Sequence, residues 1–210
     1  MKKSKSVLLA SLFASFMVFT TVEAQEKTAA FGFKGGLNFS NLYTDTVDDN
    51  NVLTGFNAGL YAKLPITNSV AIQPEINYTT KGAELVYNNA FANGTAKFNV
   101  NYIEVPVLLV VNLTNNFNVH AGPYVGYMVS GKTTNDSNLF SAENELDTDD
   151  FNKIDAGVAG GVGIDLDAVN FGVRYSYGLT KVGKERNYSN YTYPDAKNSV
   201  LSVYVGLRLN

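Results

Sequence analysis

The sequence predicts an all-β protein: an eight-stranded antiparallel transmembrane up-and-down β-barrel, preceded by an N-terminal signal peptide. Three observations carry this reading. Segments of strand length alternate apolar and polar residues, as in Ser199–Asn210, where Leu201, Val203, Val205, Leu207 and Leu209 oppose Ser202, Tyr204, Gly206 and Arg208. Period-two alternation is the mark of a strand with two different faces. The connections between segments alternate long and short, which gives the sheet one looped end and one tight end. The face opposite the aliphatic one carries glycines and matched charges, which suits a lumen better than a packed soluble core.

The first 24 residues read as the export signal. Lys2, Lys3 and Lys5 precede an apolar run from Val7 to Val18, and Val22-Glu23-Ala24 presents small residues for cleavage between Ala24 and Gln25. The expected organisation is therefore a signal peptide over 1–24 and one barrel domain over 25–210. Cysteine is absent, which excludes a disulfide framework, thiol chemistry and a lipid-modified amino terminus. Removing Lys2, Lys3, Lys5 and Glu23 leaves 13 basic and 18 acidic residues, a net charge of −5, which disfavours a nucleic-acid partner. Thirteen Tyr, thirteen Phe and 18 Gly favour strand over helix.

In order, strand one covers Ala30–Leu42, with Phe31, Phe33, Leu37 and Phe39 on its apolar face. Strand two covers Val52–Lys63 and alternates Phe56, Ala58, Leu60 and Ala62 against Gly55, Asn57, Gly59 and Tyr61. Strand three begins near Ser69, with Ile72, Ile76 and Tyr78 opposing Gln73, Glu75, Asn77 and Thr79. Strand four covers Lys97–Val111, and its alternation breaks at its upper end. Strand five covers Phe117–Gly131, strand six Asn152–Leu166, strand seven Val169–Thr180 and strand eight Ser199–Asn210. Leu64–Asn68, Asn112–Asn116 and Asp167-Ala168 are the short turns, rich in Pro, Asn and Asp. The long loops are 43–51, 88–95 with Asn-Gly at its tip, the acidic 132–151, and 182–197.

An even strand count lets every edge pair, which lipid demands because it offers unpaired backbone groups no water. The inward face is expected to hold a charge network of Lys34, Lys63, Arg174 and Arg208 with Glu75, Glu104, Asp155 and Asp165. Glycine on the same face makes room for long side chains in a narrow barrel. Phe31, Phe33, Phe171, Tyr78, Tyr127 and Tyr177, outward near strand ends, are placed as an interfacial aromatic girdle.

The stretch F-G-F-K-G-G-L-N-F-S-N-L at 31–42 resembles the opening of the PorT-like outer-membrane β-barrel domains of Bacteroidota. Q-P-E-I-N-Y at 73–78, Y-I-E-V-P-V-L-L at 102–109 and V-Y-V-G-L-R-L at 203–209 are similar to further parts of that family. The resemblance implies an eight-stranded barrel in the bacterial outer membrane and no reaction. The chain departs from many outer-membrane barrels by ending in Asn210 rather than an aromatic residue.

His120 is the single histidine and opens strand five at the tight end. A His–Ser–acid site of the lipid-hydrolysing kind needs a serine and a carboxylate within reach, and no G-x-S-x-G elbow is present. A lumen histidine is the plainer reading. The acidic segment 143–150 lacks the glycine and spacing of an EF-hand loop, so it reads as a solvated loop rather than a cation site. Lys181, Lys184 and Arg186 could meet lipopolysaccharide phosphates. G-V-A-G-G-V-G at 157–163 is strand glycine, since no helix follows to hold a dinucleotide. Asn-x-Ser/Thr triplets such as Asn77-Tyr78-Thr79 follow from the high Asn content.

No catalytic, cofactor-binding or metal residues are assigned. The leading expectation is a non-enzymatic, monomeric outer-membrane protein whose four loops contact lipid, lipopolysaccharide or a protein partner, inserted by the barrel-assembly machinery. The alternative is an accessory component of a secretion or envelope-assembly system; a lipid-modifying enzyme and a small pore rank below. Eight strands enclose little more than side chains, so the charges are expected to plug the lumen, with Arg208→Leu and Glu104→Leu both destabilising.

Overall fold

The computed structural model describes residues 28–43, 52–88, 93–137, 141–146, 151–183 and 196–210. Nine strands occur among them: β1 (Ala30–Tyr43), β2 (Leu53–Pro65), β3 (Val70–Asn88), β4 (Asn93–Asn112), β5 (Phe117–Ser137), β6 (Ser141–Glu145), β7 (Ile154–Leu166), β8 (Val169–Gly178) and β9 (Lys197–Arg208). Every pairing is antiparallel. Each of β1 to β5 pairs with the next, β5 pairs with β7, and β8 joins β7 to β9. The β1–β9 pairing completes a ring of eight strands. The expected signal peptide, with Ala24 and Gln25, and most of the long loops lie outside the described residues.

Two sequence expectations are corrected. The acidic segment after Lys132 is not all loop: β5 runs on to Ser137 and β6 pairs back onto it, Lys132 opposite Glu145 and Asp136 opposite Ser141. This ninth strand lies outside the ring. Its side chains are mostly exposed, so no alternation marked it, and it is held by backbone pairing together with the Lys132–Glu143 ion pair and the Ser141–Asp136 hydrogen bond. Asn93-Gly94 is not a turn tip either. Both residues are in β4, opposite Asn88 and Tyr87, because the β3–β4 ladder runs farther than hydrophobic patterning showed. β5 continues ten residues past Tyr127, the last of its residues paired with β7, a reach of about 33 Å at strand rise. The β3–β6 sheet therefore projects beyond the ring at the looped end.

β4 keeps one register against β3 throughout, and the shift in its pairing with β5, where Asn101 is opposite Ser130 and Tyr102 opposite Met128, puts the extra residue, Val129, in β5. The bulge therefore turns the side chains over in β5, between buried Met128 and buried Gly131. The β4 pattern reads as broken because its inward Phe98 and Val100 are apolar and join a buried cluster. From Tyr102 onward the pattern is clean: Tyr102, Glu104, Pro106, Leu108 and Val110 are buried, and Ile103, Val105, Val107 and Leu109 are exposed.

The short turns share a local device. In Ile66-Thr67-Asn68-Ser69 the Thr67 hydroxyl accepts from the amides of Ser69 (3.2 Å) and Val70 (3.0 Å). In Leu113-Thr114-Asn115-Asn116 the Thr114 hydroxyl accepts from Asn116 (3.3 Å) and Phe117 (3.0 Å). The third turn needs a left-handed residue, supplied by Asp167 at φ 42°, a conformation Asp tolerates better than most. At the ring seam, the Asn210 side chain stands in for one more strand residue. Its Oδ1 accepts from Phe31 N at 2.8 Å and its Nδ2 donates to the Ala29 carbonyl at 2.8 Å.

The ring is apolar outside and polar inside. Phe33, Leu60, Ile76, Val125, Val158 and Leu207 are about half exposed, and such residues encircle the barrel on every ring strand. A continuous apolar belt of this kind is far larger than the patches soluble monomers show. Phe31, Phe33, Phe171 and Tyr127 face outward and exposed, as expected for the girdle. Tyr78 and Tyr177 are half-buried, and the Tyr78 ring stacks on Phe56 with centroids 5.7 Å apart.

Candidate functional site

The lumen collects most of the ionisable chemistry of the ring, and it does so in layers. Large inward side chains sit over glycines of neighbouring strands. Lys34 is flanked by Gly59 and Gly206, and Tyr204 by Gly36 and Gly172. Tyr124 lies between Pro106 and Gly157. A methyl on Gly157 would meet the Tyr124 ring at 2.7 Å, and one on Gly161 would meet His120 Nε2 at 2.8 Å. Glycine here is volume made available to charge and aromatic rings.

The middle layer centres on Glu75. Arg174 grips it with a fork, Nη1 to Oε2 at 2.8 Å and Nη2 to Oε1 at 2.9 Å, and Lys34 donates to the same carboxylate. Gln73 (2.8 Å) and Asn77 (3.0 Å) complete its acceptance. A bidentate pair fixes geometry as well as charge. The Tyr204 ring lies under both cations, 4.9 Å from Lys34 Nζ and 5.2 Å from Arg174 Cζ, a favourable cation–π placement.

The second layer, nearer the loops, centres on Lys81. It donates to Glu104 and, at 2.9 Å, to Asp155 Oδ2, and it lies 4.4 Å from the centroid of the Tyr124 ring. Thr180 also donates to Asp155, at 3.3 Å. The third layer is at the turn end, where Lys63 meets Asp165 at 2.8 Å and Asn112 at 3.2 Å. A fourth, uncharged knot surrounds Asn38, whose Oδ1 accepts from Asn57 (2.6 Å) and Ser202 (2.8 Å) while its Nδ2 donates to Thr79 Oγ1 at 2.8 Å.

Of the eight residues expected in the charge network, the ion contacts join Lys34, Glu75 and Arg174 in one cluster and Lys63 with Asp165 in another. Glu104 and Asp155 come together through Lys81, which the sequence reading passed over. Arg208 lies on the inward face at the turn-end mouth, exposed, and makes no ion pair among the described residues. The balance of four cations and four anions in the clusters is therefore reached with Lys81 in the place expected for Arg208. Lys81 continues the i+2 series Glu75, Asn77, Thr79, and that parity was the available signal.

His120 is buried, with both ring nitrogens engaged. Nδ1 donates to Asn118 Oδ1 at 3.1 Å, and Nε2 accepts from Arg174 Nε at 3.3 Å. Asn118 in turn donates to Asp165 at 3.0 Å, so His120 links the middle and turn-end layers. No serine is among its hydrogen-bond partners. Among the described residues, no group of three or more His, Cys, Asp or Glu is placed to hold a metal ion. In the acidic segment, Glu143 pairs with Lys132 at 2.7 Å, and its carboxylate holds the Lys132 ammonium above the ordinary lysine range.

The two ends of the lumen differ. At the turn end an open polar cavity of about 260 Å³ is lined by Lys63, Gln73, Asn112, His120, Asn170 and Arg208, among others. At the loop end Val100, Tyr102, Met128, Phe151 and Val182 form a buried apolar cluster with Leu42, Phe98 and Leu146 against it. Phe151 and Val182 come from segments flanking the long loops, and Phe151 bridges to Gly183. Nothing in the alternation pattern pointed to this lid.

A closed eight-stranded meander, apolar towards its surroundings and ion-paired within, is a transmembrane β-barrel of the outer-membrane type. The chain belongs to the outer membrane protein beta-barrel domain family, which it matches over residues 23–183. No curated protein matches it at sequence level. Among solved structures, neisserial surface protein A is similar in fold, with a TM-score of 0.50 and 15% identity over 86% of this chain and 99% of that one. Ail of Yersinia pestis, solved with the heparin analogue sucrose octasulfate, gives 0.49 at 14% identity over 87% and 100%. OprG of Pseudomonas aeruginosa gives 0.38 at 14% identity over 88% and 97%. These likenesses are of fold.

Proposed function

We propose that the protein is a non-enzymatic, monomeric outer-membrane barrel of the PorT-like kind, exported by a signal peptide cleaved between Ala24 and Gln25. The barrel serves as an anchor, and the looped end is the working surface, in contact with lipopolysaccharide or a protein partner. One observation carries this reading: ion pairs across the lumen and an apolar lid close the ring towards the loops, while β3 to β6 project beyond it on the long-loop side. A lumen built as a plug transports little, and strands extended past the lipid present surface.

The test is cell fractionation followed by planar-bilayer recording. The mature chain is expected in the outer membrane, with faster gel migration before heating than after, because opening a closed barrel breaks a whole ring of strand hydrogen bonds. The purified barrel is expected to give no steady conductance. Recovery in the soluble periplasm would overturn the anchor reading, and porin-like conductance would replace it with a pore.

A further inference from the structure

The middle and loop-side layers carry opposite net charge. Glu75 is shared by two cations, Lys34 and Arg174, which leaves +1. Lys81 is shared by two anions, Glu104 and Asp155, which leaves −1. Between them lies a small void of about 20 Å³, lined by Lys34 and Arg174 from one layer and Glu104 from the other, with Asn77 and Ser176.

Three of these residues have hydrogen-bonding capacity that no protein group uses. Ser176 is 5% exposed, and its hydroxyl has no partner among the described residues. Glu104 is 7% exposed and bonds Lys81 through Oε2, leaving Oε1 without a partner. Asn77 Oδ1 is buried without a partner. A void needs ~10–15 Å³ and two to four polar neighbours to hold a water molecule, and leaving a buried polar atom unmet is costly.

We infer that this void is a binding site for a single structural water that joins the two oppositely charged layers into one network. The donor and acceptor balance suits water. It donates two hydrogens, to Glu104 Oε1 and Asn77 Oδ1, and accepts the Ser176 hydroxyl hydrogen. A metal cation is disfavoured because Lys34 and Arg174 already line the void, and an anion is disfavoured by the Glu104 carboxylate. The bridge lets the excess positive charge of one layer and the excess negative charge of the other meet through a polarised hydrogen-bonded path, not across empty space.

The test is a crystal structure of the wild-type barrel in detergent, at a resolution that defines ordered water, with melting of two variants. One isolated density peak is expected within hydrogen-bond distance of Ser176 Oγ, Glu104 Oε1 and Asn77 Oδ1. An empty void, or a peak with the short multiple contacts of a metal ion, would overturn the assignment. Ser176→Val expels a bound water and is expected to lower the temperature at which the barrel loses its compact gel migration. Ser176→Ala keeps the space and two partners, so its shift should be smaller. If the void is dry, Ser176→Val fills it with methyl groups and removes an unmet hydroxyl, and the transition temperature rises instead.

Discussion

The loop-side and turn-side halves of the lumen use the same chemistry in different solvents. On the loop side, the Lys81 and Asp155 side chains are each 2% exposed and the Glu104 side chain 10%, and the apolar lid lies at that end. On the turn side, the Lys63 and Asp165 side chains are 18% and 33% exposed and border the open cavity. An ion pair cut off from water and one that touches it differ in what their loss costs. Breaking a buried pair strands a charge where nothing solvates it, whereas an exposed pair exchanges one solvated arrangement for another. The barrel therefore behaves as a cup, open and wet at the turns and sealed towards the loops.

The sharpest break of this comparison is a matched pair of substitutions. Lys81→Leu leaves Glu104 and Asp155 facing each other without their cation, and the expected loss is about 3–5 kcal/mol, the range for an orphaned buried charge. Lys63→Leu leaves Asp165 with Asn118 and water, and the expected loss is about 0–1 kcal/mol. Urea unfolding of the refolded barrel in one lipid measures both. Equal losses would mean that the two ends are equally wet.

The lid supplies the next largest effect. Phe151 is 3% exposed and packs on Phe98 with centroids 5.5 Å apart. Phe151→Ala should cost about 3 kcal/mol, the low end for a buried Phe, because water can enter the space from the loop side. It should also speed hydrogen exchange at the amides of Val100, Tyr102 and Met128 while leaving those of Glu75 and Arg174 unchanged. Uniform acceleration along the barrel would show that Phe151 stabilises the whole ring rather than closing one end.

The ring itself was legible because lipid outside and charge inside enforce period-two alternation on every strand, and a one-residue slip would reverse both faces. The long–short sequence of connections then fixed which ends meet. The rest escaped for physical reasons. Lys81 lies where β3 leaves the apolar belt, so outward hydrophobic residues no longer mark the strand, though its parity with Glu75 remained. β6 pairs through its backbone in solvent, where side chains carry no face signal. Phe151 and Val182 act through tertiary packing of segments with no periodicity. The bulge at Val129 of β5 left no mark in the alternation, and the fault in the β4 pattern comes from inward residues, Phe98 and Val100, that are apolar because they pack in the lid. Asn210, which looked like a departure, closes the seam with a side-chain amide that imitates backbone.

Arg208 shows the limit of parity and supplies the smallest predicted effect. It alternates correctly with Ser202, Tyr204 and Gly206, so its inward face could be read from sequence. Alternation gives the face of a residue and not its depth, and Arg208 is at the last position of β9, level with the turns. There its guanidinium meets solvent at the cavity mouth, and its backbone amide, not its side chain, is tied down, donating to the Ala168 carbonyl at 2.7 Å. The destabilisation expected from its inward parity therefore no longer applies. Arg208→Leu should change stability by no more than about 0.5 kcal/mol, as for other surface substitutions. A loss approaching that of Lys81→Leu in the same urea series would mean that the turn end closes around Arg208, and that the cup has a second lid.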